Sequence, residues 1–283
     1  MTGKFAALGR LLSDALCPEE FKCISCGAEL REAREFCLCP RCREILEFNK
    51  RFCQTCGVRL KDEADYCQTC KASPRAFVLA RAACVYSGAA RDMTVALKNG
   101  NGWIAKHLAG IMAARYPYGG VVFGACMPVP VEKKRLAERG FNQSALIAKA
   151  LCRILTETTT TKTATTGTTT TETPTTGTPT TGTAATETPK TETGGARGLR
   201  YIDGLLKIKS TEKQSLLSAK TRAENIKGVF ALSPKCPNIS GQTVLLIDDV
   251  YTTGATVSEC AKILLRGGAK AVYVYTFATG TGK

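Results

Sequence analysis

Two groups of residues in this sequence are suited to chemistry: the adjacent carboxylates Asp248 and Asp249, and eight cysteines arranged as four CxxC pairs. The acids follow the apolar run Val244-Leu245-Leu246-Ile247, which reads as a strand buried on both faces of a parallel sheet and stopping at Asp248. Carboxylates at the carboxyl end of such a strand stand where open α/β sheets bind ligands, and they accept hydrogen bonds from ligand hydroxyls. Tyr251-Thr252-Thr253-Gly254-Ala255-Thr256 then turns the chain into a helix expected over 257–266, whose unpaired N-terminal amides attract anions. Gly254 permits the tight turn, Ala255 is small enough for backbone amides to approach phosphate oxygens, and Thr252, Thr253 and Thr256 add hydroxyl donors. Hydroxyl acceptors beside a phosphate cradle suit a sugar phosphate. Two other phosphate motifs are missing: there is no GxxxxGK[ST], and no GxGxxG follows a strand.

The cysteine pairs are Cys23/Cys26, Cys39/Cys42, Cys53/Cys56 and Cys67/Cys70. Each can present two thiolates to one metal from a tight knuckle, and two pairs complete a tetrahedral zinc site. Gly27 and Gly57 follow the second cysteine of their pairs, as a knuckle favours. The expected arrangement is a double zinc ribbon over 17–74, closed first by Cys23, Cys26, Cys39 and Cys42 and then by Cys53, Cys56, Cys67 and Cys70. Cys37 is an alternative to Cys39, and Cys17 is a spare thiol. With four protein ligands each, these sites are structural, folding a segment too small to have its own core.

The elements that position the acids lie in an α/β pattern from Phe77 onward, and 77–283 is expected to form one domain. Strands are expected over 82–86, 121–127, 205–208 and 271–277, and helices over 89–98, 103–116 and 140–155. His107, the single histidine, lies on the second of these helices in an apolar stretch; with no nucleophile evident beside it, it reads as a packing or surface residue. Cys84, Cys126, Cys152, Cys236 and Cys260 read as small buried side chains. The opening residues Phe5, Leu8, Leu11, Leu12, Ala15 and Leu16 follow helical spacing, so 1–16 is expected to be an amphipathic helix, not a secretory signal. No apolar run approaches the ~20 residues a membrane span needs, and cysteine-rich knuckles without a signal predict a cytoplasmic protein with no transmembrane segment.

The formal charge is +15, and two tetrathiolate zinc sites, each carrying two net negative charges, would leave about +11. Such a basic chain suits a polyanionic small molecule, nucleic acid or an anionic membrane surface. Between 156 and 198 more than half the residues are threonine and no large apolar side chain occurs, so this segment is expected to be a disordered insertion. The logarithmic cost of loop closure lets the fold carry it.

The block from Val244 to Thr256 resembles the signature of type I phosphoribosyltransferases, which bind phosphoribosyl pyrophosphate (PRPP). Further motifs sharpen the likeness: the CxxC knuckles, Leu97-Lys98 with Gly100, Pro128-Val129-Pro130, ERGFNQ ending at Gln143, RAENIKGVF ending at Phe230, and the paired acids with their loop. Together they are similar to the ComF family of competence-associated phosphoribosyltransferase-like proteins. The resemblance implies a type I phosphoribosyltransferase parallel sheet with flanking helices, preceded by the small zinc-ribbon domain with four cysteines to each metal. It implies that Asp248 and Asp249 hold the ribose hydroxyls, that residues 252–256 hold the 5′-phosphate, and that Pro128 and Val129 form the pyrophosphate loop with Arg135 and Arg139 nearby. The stretch KSTEKQSLLSAK resembles the family's TxxQxxLS loop at Thr211, Gln214, Leu217 and Ser218, with Lys209 in place of the family's usual arginines.

Two functions follow as expectations. The first is an enzyme that uses Mg²⁺-bound PRPP and displaces pyrophosphate by a nitrogen nucleophile, Asp248 and Asp249 gripping the ribose and facing the developing positive charge. The alternative is a non-enzymatic competence accessory protein that binds single-stranded DNA or competence proteins during DNA uptake.

Overall fold

The computed structural model describes residues 21–30, 35–61, 63–164, 199–209, 226 and 228–280. The expected N-terminal helix, Cys17, residues 165–198 of the threonine-rich segment and the stretch from Thr211 to Ser218 lie outside the described residues.

Apolar strands separated by amphipathic helices can bury both sheet faces only if the connections cross over, and the chain does this. Strands β1 (Leu79–Val85), β2 (Ala125–Pro128), β3 (Arg200–Tyr201), β6 (Thr243–Tyr251) and β7 (Ala271–Thr279) form one parallel sheet in the order β1-β7-β6-β2-β3. A separate antiparallel pair joins β4 (Leu205–Lys207) to β5 (Phe230–Leu232). The helices are α1 (Pro40–Glu44), α2 (Gln68–Ala72), α3 (Gly88–Lys98), α4 (Ala105–Ala114), α5 (Lys133–Arg139), α6 (Gln143–Ala164) and α7 (Ala255–Arg266).

Strand β6 divides the interior between two layers, as period-two side-chain alternation requires. Leu245 and Ile247 pack with Leu97, Leu108, Met112, Ile147 and Leu151 of α3, α4 and α6. Val244 and Leu246 pack with Cys260, Ala261 and Leu264 of α7. The cysteine segments are divided in the same way. Cys23, Leu38 and Cys42 belong to the first layer, and Cys53, Cys56 and Cys67 to the second. The α/β class with a parallel sheet is therefore as expected.

Several local readings change. Strand β6 does not stop at Asp248, because β7 runs on to Thr279 and offers backbone partners, pairing Asp248 with Thr276 and Tyr251 with Thr279. The expected strand over 121–127 is reduced to Ala125–Pro128, where β6 and β3 supply neighbours. The basic segment after it is helical, and Gly140 at φ 80° closes α5 with its N–H on Leu136 O. Helix α6 continues to Ala164, into the segment expected to be disordered from 156. Two of its threonines satisfy their hydroxyls within the helix, Thr156 on Cys152 O at 2.7 Å and Thr158 on Ile154 O at 2.8 Å, so polar residues here do not stop it. No helix among the described residues is long and apolar enough to cross a membrane.

Candidate functional site and the two cysteine centres

The carboxyl ends of β2 and β6, the start of α6 and the start of α7 meet around a crevice of about 500 Å³. Asp248 and Asp249 both line it, with Thr252, Gly254, Ala255 and Thr256 on one side and Val129, Arg135 and Arg139 on another. Of the residues singled out in the sequence, Pro128 and Thr253 are not part of the lining. Pro128 is the buried last residue of β2, and the Thr253 hydroxyl turns toward the Ala255 N–H at 3.5 Å.

The two acids have different surroundings. Asp248 is half-buried and accepts hydrogen bonds from Ser144 Oγ and from the Asp249 N–H, each at 2.9 Å. Asp249 is 5% exposed and forms an ion pair with Lys98 at the end of α3. Burial, followed by the adjacent Asp249 charge, pushes the Asp248 carboxyl well above the usual carboxylate range. Burial acts on Asp249 in the same direction, but the Lys98 ammonium outweighs it and holds Asp249 below that range. The two acids are thus pushed apart, Asp248 toward its protonated form and Asp249 toward its charged form, as happens when neighbouring carboxylates share a site.

The Pro128-Val129-Pro130 turn is tied to both flanking elements. Val129 N–H donates to Ile247 O at 2.9 Å, and Asn142 Nδ2 donates to Val129 O at 3.0 Å. The same Asn142 caps α6, its Oδ1 accepting from Ser144 N–H at 3.0 Å. The GFNQ motif therefore fixes a loop and a helix start with one side chain. Gly254 precedes α7 at φ 75°, and a Cβ there would collide with the Tyr251 ring, so only glycine fits. Lys98, Arg135, Arg139 and Lys207 bring four cations to the crevice, and Ile226 and Phe230 give it an apolar wall.

Sequence reasoning did not assign Lys98, Ser144 or Asn142 to the site. All three lie within motifs that carried the resemblance or directly beside them, but their roles depend on contacts far along the chain.

The cysteines fall into the two sets expected. In each, the four sulfurs lie within 4.8 Å of one another: Cys23, Cys26, Cys39 and Cys42 in one, Cys53, Cys56, Cys67 and Cys70 in the other. Burial alone would push the Cys23 and Cys53 thiols up, yet backbone N–H groups, Cys26 and Cys39 around the first and Cys56 and Cys67 around the second, bring both down to about 7. Burial holds Cys42, Cys56 and Cys70 as neutral thiols instead, so a metal would have to displace their protons, and four sulfur donors fit zinc better than any hard cation. The second pair of each set opens a short helix, with Cys39 and Cys67 as N-caps of α1 and α2. Cys37 is not a member of the first set; its Sγ lies 3.4 Å from His107 Nε2. This corrects the reading of His107 as lacking a nucleophilic neighbour, since a thiol contributed from the cysteine segment cannot be seen in the helix sequence. Cys84, Cys126, Cys152 and Cys260 are buried as expected, and Cys236 is half-buried.

Comparison with known proteins gives these features a context. A family model described as the phosphoribosyl transferase domain matches residues 198–283, a range that holds the paired acids and the loop after them but not the Pro128 turn. DNA utilization protein YhgH of Escherichia coli is 41% identical over 73 residues, which is 26% of this chain and 31% of that protein's length. The match thus spans about a third of that relative. Competence protein ComFC of Streptococcus pneumoniae is 33% identical over 88 residues, 28% of this chain and 40% of the other. Competence protein F of Haemophilus influenzae is 25% identical over 266 residues, 91% of this chain and 96% of its own length. The chain is thus similar to phosphoribosyl transferase domains over its last third, and to a competence protein along nearly its whole length.

Proposed function

We propose that the crevice binds Mg-PRPP and that the chain transfers its phosphoribosyl group to a nitrogen nucleophile. The observation that carries this reading is the convergence of the acid pair, a helix N-terminus behind a glycine turn, and four cations on one cavity. Asp248 and Asp249 would receive the ribose hydroxyls, the charged acid accepting and the protonated one able to donate as well. The amides at the start of α7 would hold the 5′-phosphate. Arg135 and Arg139, beside the Val129 turn, would take the leaving pyrophosphate and stabilise its growing charge, while the acids face the ribose carbon as it becomes cationic. Mg²⁺ bound to the diphosphate would supply further neutralisation of the leaving group. Each cysteine set would hold one structural zinc, and reduced thiols suit a cytoplasmic setting.

Isothermal titration with Mg-PRPP, followed by a pyrophosphate-release screen over candidate bases, tests this. Asp248→Asn with Asp249→Asn should weaken Mg-PRPP binding at least about a hundredfold, two lost charge-assisted hydrogen bonds being worth roughly 1.5–3 kcal/mol each. Wild-type affinity in a folded double mutant would sink the assignment.

One observation favours a second, compatible reading. A groove of about 1000 Å³ beside the cysteine centres is lined by Arg43, Lys50, Arg51, Arg59 and Lys61 against two acids, Glu44 and Glu47, with Phe48 among them. Cations interleaved with an aromatic ring suit single-stranded DNA, and the names of the relatives speak of DNA utilization and competence. Lys50→Ala with Lys61→Ala should lower single-stranded DNA affinity and flatten its salt dependence by about 0.7 for each phosphate no longer neutralised, leaving Mg-PRPP binding unchanged.

A further inference from the structure

Tyr251 lies between the crevice and the second cysteine centre. It ends β6, lines the crevice, and packs its ring beneath Gly254 so closely that no side chain fits there. The residue is 3% exposed and meets Phe77 edge-on, with ring centres 6.5 Å apart. Its buried hydroxyl makes no hydrogen bond among the described residues, a costly condition for a buried donor. The thiol of Cys56, itself 2% exposed, is buried in the same cluster as Tyr251 and close enough to act on its hydroxyl. A tetrathiolate zinc centre carries two net negative charges and is stabilised by donors around its sulfurs. Arg75 Nε already supplies one to Cys70 Sγ at 3.5 Å.

We propose that Tyr251 is a positioning residue, donating its hydroxyl to metal-bound Cys56 and so holding the loop from Thr252 to Thr256 against the second metal centre. With the sulfur ionised and bound, the orphan hydroxyl gains a strong acceptor. The ring beneath Gly254 is then fixed from below, and the turn that leads into α7 is fixed with it. Among the described residues the first cysteine centre has no such route to the loop: its polar tie runs from Ser25 Oγ to Asp92 of α3 at 2.7 Å. The metal would therefore shape the loop from one centre only. The consequence for ligand affinity rests on the Mg-PRPP reading; the link between metal and loop does not.

The test uses Tyr251→Phe, which removes one oxygen, with Cys70→Ser and Cys26→Ser as site-selective controls. Zinc release to a chromophoric chelator, the thiolate-to-metal absorption of cobalt-substituted protein, and hydrogen exchange at residues 252–257 are measured on each. Tyr251→Phe should retain two metals, release one of them about tenfold faster, shift the cobalt absorption, and speed exchange in the loop. Cys26→Ser should lose one metal and leave loop exchange unchanged. Unaltered release from both centres in Tyr251→Phe, or loop exchange equally sensitive to Cys26→Ser, would overturn the proposal. If Cys70→Ser does not fold, Tyr251→Phe still decides the matter. A parallel Mg-PRPP titration keeps the two readings apart: wild-type protein that shows the metal-to-loop link but takes no Mg-PRPP would refute the proposed function alone.

Discussion

In both cysteine centres the first pair lies in a turn closed by a glycine of positive φ and the second pair opens a short helix, yet the two centres meet the rest of the molecule differently. Cys23 N–H bonds to Ala28 O and Gly27 N–H to Cys23 O, and the same pattern recurs from Cys53 N–H to Val58 O and from Gly57 N–H to Cys53 O. Around Gly27 there is open space. Gly57 lies against the backbone of β1, where an added Cβ would come within 2.5 Å of Ala80 O. The first centre is tied toward the crevice through α3, whose last residue pairs with Asp249; the second touches the strands themselves. Equal local sequence thus gives equal local structure but unequal consequence, because packing against the sheet is decided by residues outside the motif.

The largest expected effect tests this contrast directly. Gly57→Ala should combine the strain of a left-handed alanine with a collision against β1, giving little folded protein or a melting temperature lowered by more than about ten degrees. Gly27→Ala should show only the strain, about 1–2 kcal/mol, and melt a few degrees lower. Similar losses in the two variants, followed by thermal unfolding, would erase the distinction.

A smaller effect concerns the link from the first centre through α3. Lys98→Met removes the counter-ion of a buried carboxylate whose partner is itself half-exposed, so it should destabilise the chain by about 1–3 kcal/mol at pH 7. Because Asp249 titrates below its unfolded value, the ion pair contributes fully above the ordinary carboxylate range. The gap between mutant and wild type should therefore hold constant down to about pH 5 and close as pH falls further, in denaturant titrations at each pH.

Asp248 provides the finest test, with the opposite sign. Its folded value is raised, so the folded protein holds a proton that the unfolded chain releases, and stability should fall as pH rises from the ordinary carboxylate range toward the raised value. The slope is at most about 1.4 kcal/mol per pH unit. Asp248→Asn should abolish that slope while Asp249→Asn should not produce the same loss.

What could be read from the sequence follows the same division between local and distant causes. The cysteine sets were legible because their ligands are close in the chain and the spacing itself is geometric; the choice of Cys39 over Cys37 needed the His107 side chain. The strand, acid pair and glycine turn were legible because burial and backbone conformation dictate their residue types over a few positions. The length of β6 was not, since β7 decides it. Nor was the opposite shift of two adjacent aspartates, which depends on burial and on Lys98 arriving from α3 beside Asp249 alone. The extension of α6 was missed because composition was read without the hydroxyl-to-carbonyl bonds that let threonine remain helical.

The strand order carries a further consequence, for the sequence of assembly. Strand β7 is the latest in the chain among those described, yet it lies between β1 and β6, and Leu79 of β1 pairs with Tyr273. Each cysteine centre can close as soon as its own short segment has left the ribosome. The crevice cannot, because β1 has no other sheet neighbour among the described strands and must wait, with its apolar faces open, until β7 is made. Long-range parallel pairing of this kind is slow and exposes sticky edges meanwhile. During synthesis the chain would thus complete its cysteine centres well before its crevice, and a ribosome stalled short of residue 271 would leave a product with both centres and an unfinished sheet.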